Sequence, residues 1–567
     1  MQNNHLYQSS LKQTLCQVTL LLLLLIPAAQ ARQSPGVAVA SAHELATEAG
    51  LQVMAAGGNA FDAAVAVSAA LAVVEPAGSG LGGGGFWLLH RDTDGFEVMI
   101  DGRERAPLDA TENMYVREGL YDKNLSRNGA LAAGIPGEPA ALEHIAKRYG
   151  RLGLAANLAP AIRLARKGFV VDEHMARLLA WRSASFSAEG DALRVLADRK
   201  GLPLKAGSIL RQPDLARTLE TIASKGARAF YQGEIAEKLV EGVNRAGGIW
   251  SMEDLAAYQI VERAPVVFEH NGARVVSAAP PSSGGVVMSI AMNITQGFET
   301  DNPVDQIHLN VEALRRAYRA RALFLGDPDY ISMPLRWLMS PAYADGLRNS
   351  ISPTVSTRSA SLGQPSRRFE DGPSTTHFSI MDAQGNRVAA TLSINFPFGS
   401  GFIPEGTGVL LNNEMDDFSA QANTPNAYGL VGNHANAIAP GKRMLSSMSP
   451  TFIETEDRIA ILGTPGGSRI ISMVMLRMQT FLQGGTAQEI VSRPRYHHQY
   501  LPDEIQHEPN AFSPEIAQAL QDRGHTLKSV GRQYGNMQAI IWNRANNSID
   551  AATDPRGVGS ARVDFAN

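Results

Sequence analysis

Apolar and polar positions are spread unevenly along the chain, and the unevenness divides it into stretches of different character. His43–Ala56 reads as a helix stopped by Gly57-Gly58, a glycine pair suited to a helix end. Phe61–Val74 is so rich in Ala and Val that its helix must be buried on most faces. A glycine cluster, Gly78-Ser-Gly-Leu-Gly-Gly-Gly-Gly85, then leads into Phe86-Trp-Leu-Leu-His90, an apolar run of strand length. Residues 138–252 read as mainly helical, broken at Lys167-Gly168 and Ala246-Gly-Gly248. Strands are expected at Ala264–Phe268 and Arg274–Ala278, and a helix over Val304–Leu325. Residues 350–374 form a linker too polar and broken to bury a core face. After it, Phe378–Asp382, the turn Ala383-Gln-Gly-Asn386 and Arg387–Asn395 make a hairpin pattern. The last strand pair is expected near Met537–Trp542 and Ile549–Ala552. No repeat or sustained heptad is present, and the mixture predicts an α+β layered fold.

At 567 residues the chain is too long for one small core. Its 44% hydrophobic and 19% charged content is that of a soluble globular protein. A formal charge of −4 leaves no basic surplus for nucleic acid or an anionic membrane. The N-terminus has the order of a secretory signal: Lys12, the apolar run Leu15–Ile26, Pro27, and the small-residue site Ala29-Gln30-Ala31. The run is short for a membrane span, which needs about 20 apolar residues. A cut after Ala31 removes Lys12 and takes the formal charge from −4 to −5. It also removes Cys16, the single cysteine, so the mature chain has no disulfide and no cysteine metal site. The expected location is the periplasm or the medium.

The candidate chemistry is scattered. Thr375, in Asp371-Gly-Pro-Ser-Thr-Thr-His-Phe-Ser-Ile380, opens a strand-like run just after the linker. A threonine hydroxyl needs a base, and a cut before Thr375 would supply one as the new α-amino group. The alternative is a Thr pair in an ordinary strand. Gly78-x-Gly80-x-x-Gly83 matches a dinucleotide fingerprint, but the helix precedes it and the strand follows, the reverse of what that site requires. Tight backbone packing behind an active site is the better reading. Gly466-Gly467 precedes the helical run Ile470–Leu482, where two N–H groups could stabilise an oxyanion or simply turn the chain. Asn412-Asn-Glu-Met-Asp-Asp417 gathers three carboxylates that could hold a cationic amino group or a metal, or form a solvated turn; the calcium-loop spacing is absent. His497-His498 lacks further ligands at zinc spacing and reads as structural. Arg103 could clamp a carboxylate or pair with Glu104, and Ser446-Ser447 offers hydroxyl donors or an ordinary turn.

These motifs occur together in one family. Gly80–Phe86, Arg103–Pro107, Pro280–Gly285, Thr375–Ser379, Leu411–Phe418, Leu445–Pro450 and Pro465–Arg469, in this order, closely resemble the γ-glutamyltranspeptidases (γ-glutamyltransferases, glutathione hydrolases) of the N-terminal-nucleophile hydrolases. The resemblance implies a four-layer αββα sandwich, autocleavage between Ser374 and Thr375, a large subunit of residues 32–374 and a small subunit of residues 375–567. It implies Thr375 as nucleophile and, through its α-amine, general base. An α-amine has a reference pKa of about 7.7–8.0, which suits proton exchange near neutrality. Arg103, Ser446 and Ser447 match the positions that bind the γ-glutamyl α-carboxylate; Asn395, Glu414 and Asp417 those that hold its ammonium; Gly466 and Gly467 the oxyanion hole. Residues 422–433, with Tyr428, match the lid over the pocket. No cofactor or metal is implied. The expected partners are a γ-glutamyl donor such as glutathione and an amino acid or peptide acceptor, with the two cleaved subunits forming one heterodimer. Ser393 stands where many members carry a second threonine beside the nucleophile; it keeps the hydroxyl and loses the methyl that restrains the rotamer.

Two other readings compete. A related acylase acting on glutaryl-type β-lactam side chains would meet substrates without an α-amino group, which leaves Glu414 and Asp417 without purpose. An uncleaved exported binding protein of the same fold would have no need to keep every catalytic position, and all are filled. Intact-mass measurement of the exported protein is expected to give two chains, one beginning at Arg32 and one at Thr375; a single chain beginning at Met1 contradicts both cuts.

Overall fold

The computed structural model describes residues 34–363, 375–419 and 434–565. The expected signal segment, Ser374, and the lid residues 422–433 with Tyr428 lie outside them.

The hairpin expected after the linker lies at the centre of the structure. Thr376–Met381 and Arg387–Ser393 pair antiparallel, with Thr376 opposite Leu392. On one side the hairpin continues to Gly84–Arg91, Phe96–Gly102 and Val261–Arg263; on the other, to Gly36–Ser41 and Ser560–Phe565. These seven strands form one antiparallel sheet. A second, six-stranded sheet runs Ser548–Thr553, Gln538–Asn543, Arg458–Gly463, Thr451–Glu454, Ala273–Ser277, Val266–His270. The central strands are buried on two faces, which explains why Phe86-Trp-Leu-Leu reads as a continuous apolar run rather than an alternating one. Trp87 and Leu89 join one core with the helices Glu44–Ala55 and Ala60–Val74; Phe86 and Leu88 join the other, between the sheets. That second core also takes in the helices Gly284–Thr295, Pro303–Phe324 and Ile470–Leu482. The order is helices, sheet, sheet, helices: the expected α+β, four-layer sandwich.

Local chemistry accounts for the main helices. Ala60–Val74 starts at a capping box of Asn59 and Asp62, and every one of its residues is buried. The Trp87 indole N–H donates to Ser68 at 3.1 Å, pinning this helix to the sheet. His377, beside Thr376, lies sealed between the sheets with Nδ1 2.8 Å from the Thr391 hydroxyl; burial pushes its pKa down to about 3, so it is neutral and structural. His497 and His498 are likewise buried and held by Ser472, Gln499 and Asp503.

Two strands had no clear signal in the sequence. Gly36–Ser41 and Ser560–Phe565 pair along their whole length, Gly36 opposite Phe565 and Ser41 opposite Ser560. The last strand is therefore Ser560–Phe565, after the expected final pair. Its residues are partly exposed, and its hydrogen-bond partner lies at the other end of the chain.

The glycine cluster packs as a backbone wedge. A Cβ on Gly82 would stand 2.1 Å from the Leu410 carbonyl oxygen, and one on Gly83 2.2 Å from that of Ser393. Neither neighbour is a side chain that can swing away. The Gly83→Ala variant is therefore expected to lose stability by about 1–3 kcal/mol, the usual cost of overpacking, read as a lower denaturation midpoint.

Candidate active site

The hairpin register sets Thr375 and Ser393 side by side. Their hydroxyl oxygens are 3.4 Å apart, and the Ser393 oxygen also accepts the Asn395 N–H at 2.7 Å. Asn395 holds φ near +71°, a left-handed conformation that Asn tolerates better than most residues. Its side-chain amide donates to the Asn413 carbonyl at 2.9 Å, and Asn413 accepts the Phe396 N–H in return. Asn412 ties the same turn to the glycine cluster by donating to the carbonyls of Gly82 and Gly134. The acidic turn is thus a buried, fastened element rather than a solvated one.

Its acids divide by direction. Asp416 turns away to Tyr121, Ser126 and Arg127. Glu414 and Asp417 both face Arg103, at 2.6 Å each, and Glu104 approaches the same guanidinium at 3.3 Å. Arg103 is 1% exposed. Burial opposes its charge, but attraction to Glu414, Glu104 and Asp417 outweighs that, and its pKa is raised. Burial and then the neighbouring Glu414 push Glu104 well up, and the same two causes raise Asp417. Crowding of three carboxyls about one guanidinium disfavours the charged forms of Glu104 and Asp417, and a second cation would relieve it. Glu414 Oε1 is sealed from solvent and has no hydrogen-bond partner among the described residues, an acceptor suited to an ammonium.

The hydroxyl donors lie across the same small cavity, which Arg103, Thr375, Ser393, Asn395, Glu414, Asp417, Ser446 and Ser447 line together with Gly467. The motif Pro280–Gly285 shapes this wall: Ser282 Oγ donates to the Met448 carbonyl at 2.6 Å and Ser283 Oγ to that of Ser446 at 2.7 Å. Gly466 and Gly467 have φ of +143° and +58°, values that favour glycine, and precede the helix Ile470–Leu482. The N–H groups at such a helix start lack intrahelical acceptors and carry the positive end of its dipole. All the described residues expected at the site line this cavity except Gly466, which borders a neighbouring cavity together with Thr375; Ser374 and Tyr428 are outside the described residues.

Sequence reasoning missed Arg321. It lines the cavity from the helix Pro303–Phe324, and its Nε donates to Ser283 Oγ at 2.9 Å while Nη2 reaches Ser447 Oγ at 3.4 Å. Among the described residues no carboxylate pairs with it, and burial lowers its pKa to about 10. It is one of several arginines on that helix, and nothing in the local pattern separates it from Arg315 and Arg316, which pair with Glu312. A buried guanidinium held only by hydroxyls is suited to an anionic ligand group.

Comparison with known proteins agrees with this geometry. The γ-glutamyltranspeptidase family profile matches residues 46–563. A glutathione hydrolase proenzyme of Pseudomonas sp. (strain A14) is 41% identical over 91% of this chain and 92% of its own length; one of Escherichia coli is 38% identical over 92% and 90%. Among solved structures, a cephalosporin acylase from Bacillus halodurans superposes with a TM-score of 0.82 at 30% identity, covering 94% of this chain and 96% of its own. A γ-glutamyltranspeptidase from Helicobacter pylori gives 0.56 at 38% identity, covering 57% of this chain and 94% of its own. A family match over nearly the whole chain, with the motif residues gathered around one cavity, shows that this protein belongs to the γ-glutamyltranspeptidase family.

Proposed function

We propose that this enzyme of the γ-glutamyl hydrolase and transferase class is an exported, self-processing γ-glutamyl acyltransferase that cleaves glutathione and similar γ-glutamyl amides. The observation that carries the reading is the cavity at Thr375, with Arg103 and Arg321 for an anion and Glu414 and Asp417 for a cation within one small space. That pattern complements the head group of a free α-amino acid. Arg103 is occupied by the acids; an arriving α-carboxylate would take its place on the guanidinium, and the arriving ammonium would take the acids, so that each charge brought in meets an opposite one.

The proposed organisation is a signal segment over residues 1–31, a large subunit over 32–374 and a small subunit over 375–567. The signal reading requires export; no helix among the described residues is long and apolar enough to cross a membrane. The cut before Thr375 frees its α-amine, which takes the hydroxyl proton as Thr375 Oγ attacks the γ-carbonyl. The developing oxyanion is met by the N–H groups of Gly466 and Gly467. The amine leaves with the transferred proton, and the γ-glutamyl ester on Thr375 passes to water or to an amine acceptor. Ser393 holds the Thr375 hydroxyl in the attacking position, and Tyr428 belongs to the proposed lid.

The cephalosporin acylase likeness favours a second reading, an acylase for glutaryl side chains. A glutaryl group has no ammonium for the sealed Glu414 oxygen to accept. Glutathione is therefore expected to turn over faster than a glutaryl amide, and the reverse order selects the acylase. Thr375→Ala is expected to run as one chain on a denaturing gel and to release no glutamate; two fragments with activity overturn the nucleophile assignment. Arg321→Gln, which keeps a donor and removes the charge, is expected to raise KM for a γ-glutamyl donor about tenfold, since a hydrogen bond to a charged group contributes ~1.5–3 kcal/mol. The effect is expected to fall less on kcat, because the α-carboxylate is bound throughout the reaction.

A further inference from the structure

Thr375 borders a second cavity, and Thr375 is the one residue that lines both. The oxyanion glycines divide between them, Gly467 lining the glutamyl cavity and Gly466 the other. A γ-glutamyl carbonyl held at Thr375 has its glutamyl half in the first cavity. The departing or attacking amine, on the far side of that carbonyl, then falls to the second, whose volume is about 190 Å³. This follows from the reaction reading above and rests on it.

The second cavity carries its own charges. Glu75, Asp172, His43, His174, Arg532 and Arg556 line it. Arg556 is already engaged by Glu508 and Asp554, and Asp172 caps a helix by accepting the Met175 N–H. Glu75 is different. It ends the helix Ala60–Val74, its carboxyl lies against Gly78, where a Cβ would stand 3.1 Å from both Cδ and Oε2, and Oε2 is sealed from solvent, with no close hydrogen-bond partner among the described residues. It also stands beside Thr376, the residue next to the nucleophile, whose hydroxyl favours its charged form. Glu75 thus brings a part-buried carboxyl to the cavity at the reacting bond, and among the described residues no cation pairs with it, so a visiting cation would offset the cost of its charge.

We propose that Glu75 receives the ammonium group of the acceptor, a primary amine such as an amino acid or dipeptide, and takes one of its protons before attack on the Thr375 ester. The acceptor arrives with three N–H protons. One passes to the Glu75 carboxylate, leaving a nucleophilic amine. That nitrogen bonds to the γ-carbonyl carbon as the bond from carbon to Thr375 Oγ breaks. A second proton passes to Thr375 Oγ through the Thr375 α-amine, and the third stays on the new amide. Glu75 then returns its proton to water. The acidity of Glu75 suits this exchange: burial raises its pKa to about 7, with Asp172 adding to the rise and the Thr376 hydroxyl partly offsetting it, so both protonation states are present near neutrality.

The test is the partition of the acyl-enzyme between amine and water. The processed wild type, Glu75→Gln, Glu75→Asp and Gly78→Ala are incubated with γ-glutamyl-p-nitroanilide and glycylglycine, and the γ-glutamyl dipeptide and glutamate are measured separately. Glu75→Gln is expected to lower the ratio of transfer to hydrolysis at least tenfold and to raise the KM for glycylglycine, with Glu75→Asp recovering part of the ratio. Gly78→Ala, which displaces the carboxyl without removing it, is expected to lower the ratio in the same direction and decides the matter where Glu75→Gln is not processed. A ratio within twofold of wild type, or equal falls in both products, overturns the proposal and leaves the γ-glutamyl reading intact. Wild type that releases no glutamate from the donor defeats that reading, and the proposal falls with it.

Discussion

The arrangement at the site depends on one pairing register, that of the hairpin Thr376–Met381 and Arg387–Ser393. Successive side chains on a strand point to opposite faces, so a slip of one residue would turn Thr375 and Ser393 away from each other and move His377 out of the layer between the sheets. The register is held from both sides. Phe378, Ile380, Val388 and Ala390 are buried in one core and Met381 and Ala389 in the other, so neither face can exchange with solvent. The glycine wedge at Gly82–Gly85 adds a second restraint, because it admits the neighbouring backbone only where no side chain intervenes. The position of Thr375 is therefore set by packing several residues away from it.

Against that rigid frame, the polar side of the site is built from competing charges. Three carboxyls share Arg103 in the absence of substrate. Such a cluster would favour visitors that carry both signs of charge. A ligand with only one sign would leave either the acids or the arginines without relief. The proposed amino acid head group would meet both halves of this requirement.

Much of this was legible in the residue order. The helices near the N-terminus, the central hairpin, and the helix after Gly466-Gly467 carry strong local patterns, and the motif residues Arg103, Thr375, Ser393, Asn395, Glu414, Asp417, Ser446 and Ser447 are found around one cavity. What escaped was whatever depends on distant partners. Gly36–Ser41 and Ser560–Phe565 are short, and each becomes a strand through hydrogen bonds to a segment at the other end of the chain. Arg321 resembles its neighbours on a basic helix until the fold shows that it has hydroxyls where Arg315 and Arg316 have Glu312. Glu75 reads as the end of an apolar helix; only the fold shows the cavity beside it.

The terminal strands carry a consequence for the protein after a cut before Thr375. Gly36–Ser41 lies between Thr376–Met381 and Ser560–Phe565, so a strand of the first fragment would be bracketed by two strands of the second. The fragments could not part without opening hydrogen-bonded ladders on both edges of that strand and exposing both cores. Two differently tagged preparations, mixed after processing, would keep their original pairings, and no hybrid molecules would form. The quaternary state of the enzyme would thus be an inheritance of how each chain folded, independent of how dilute the protein becomes.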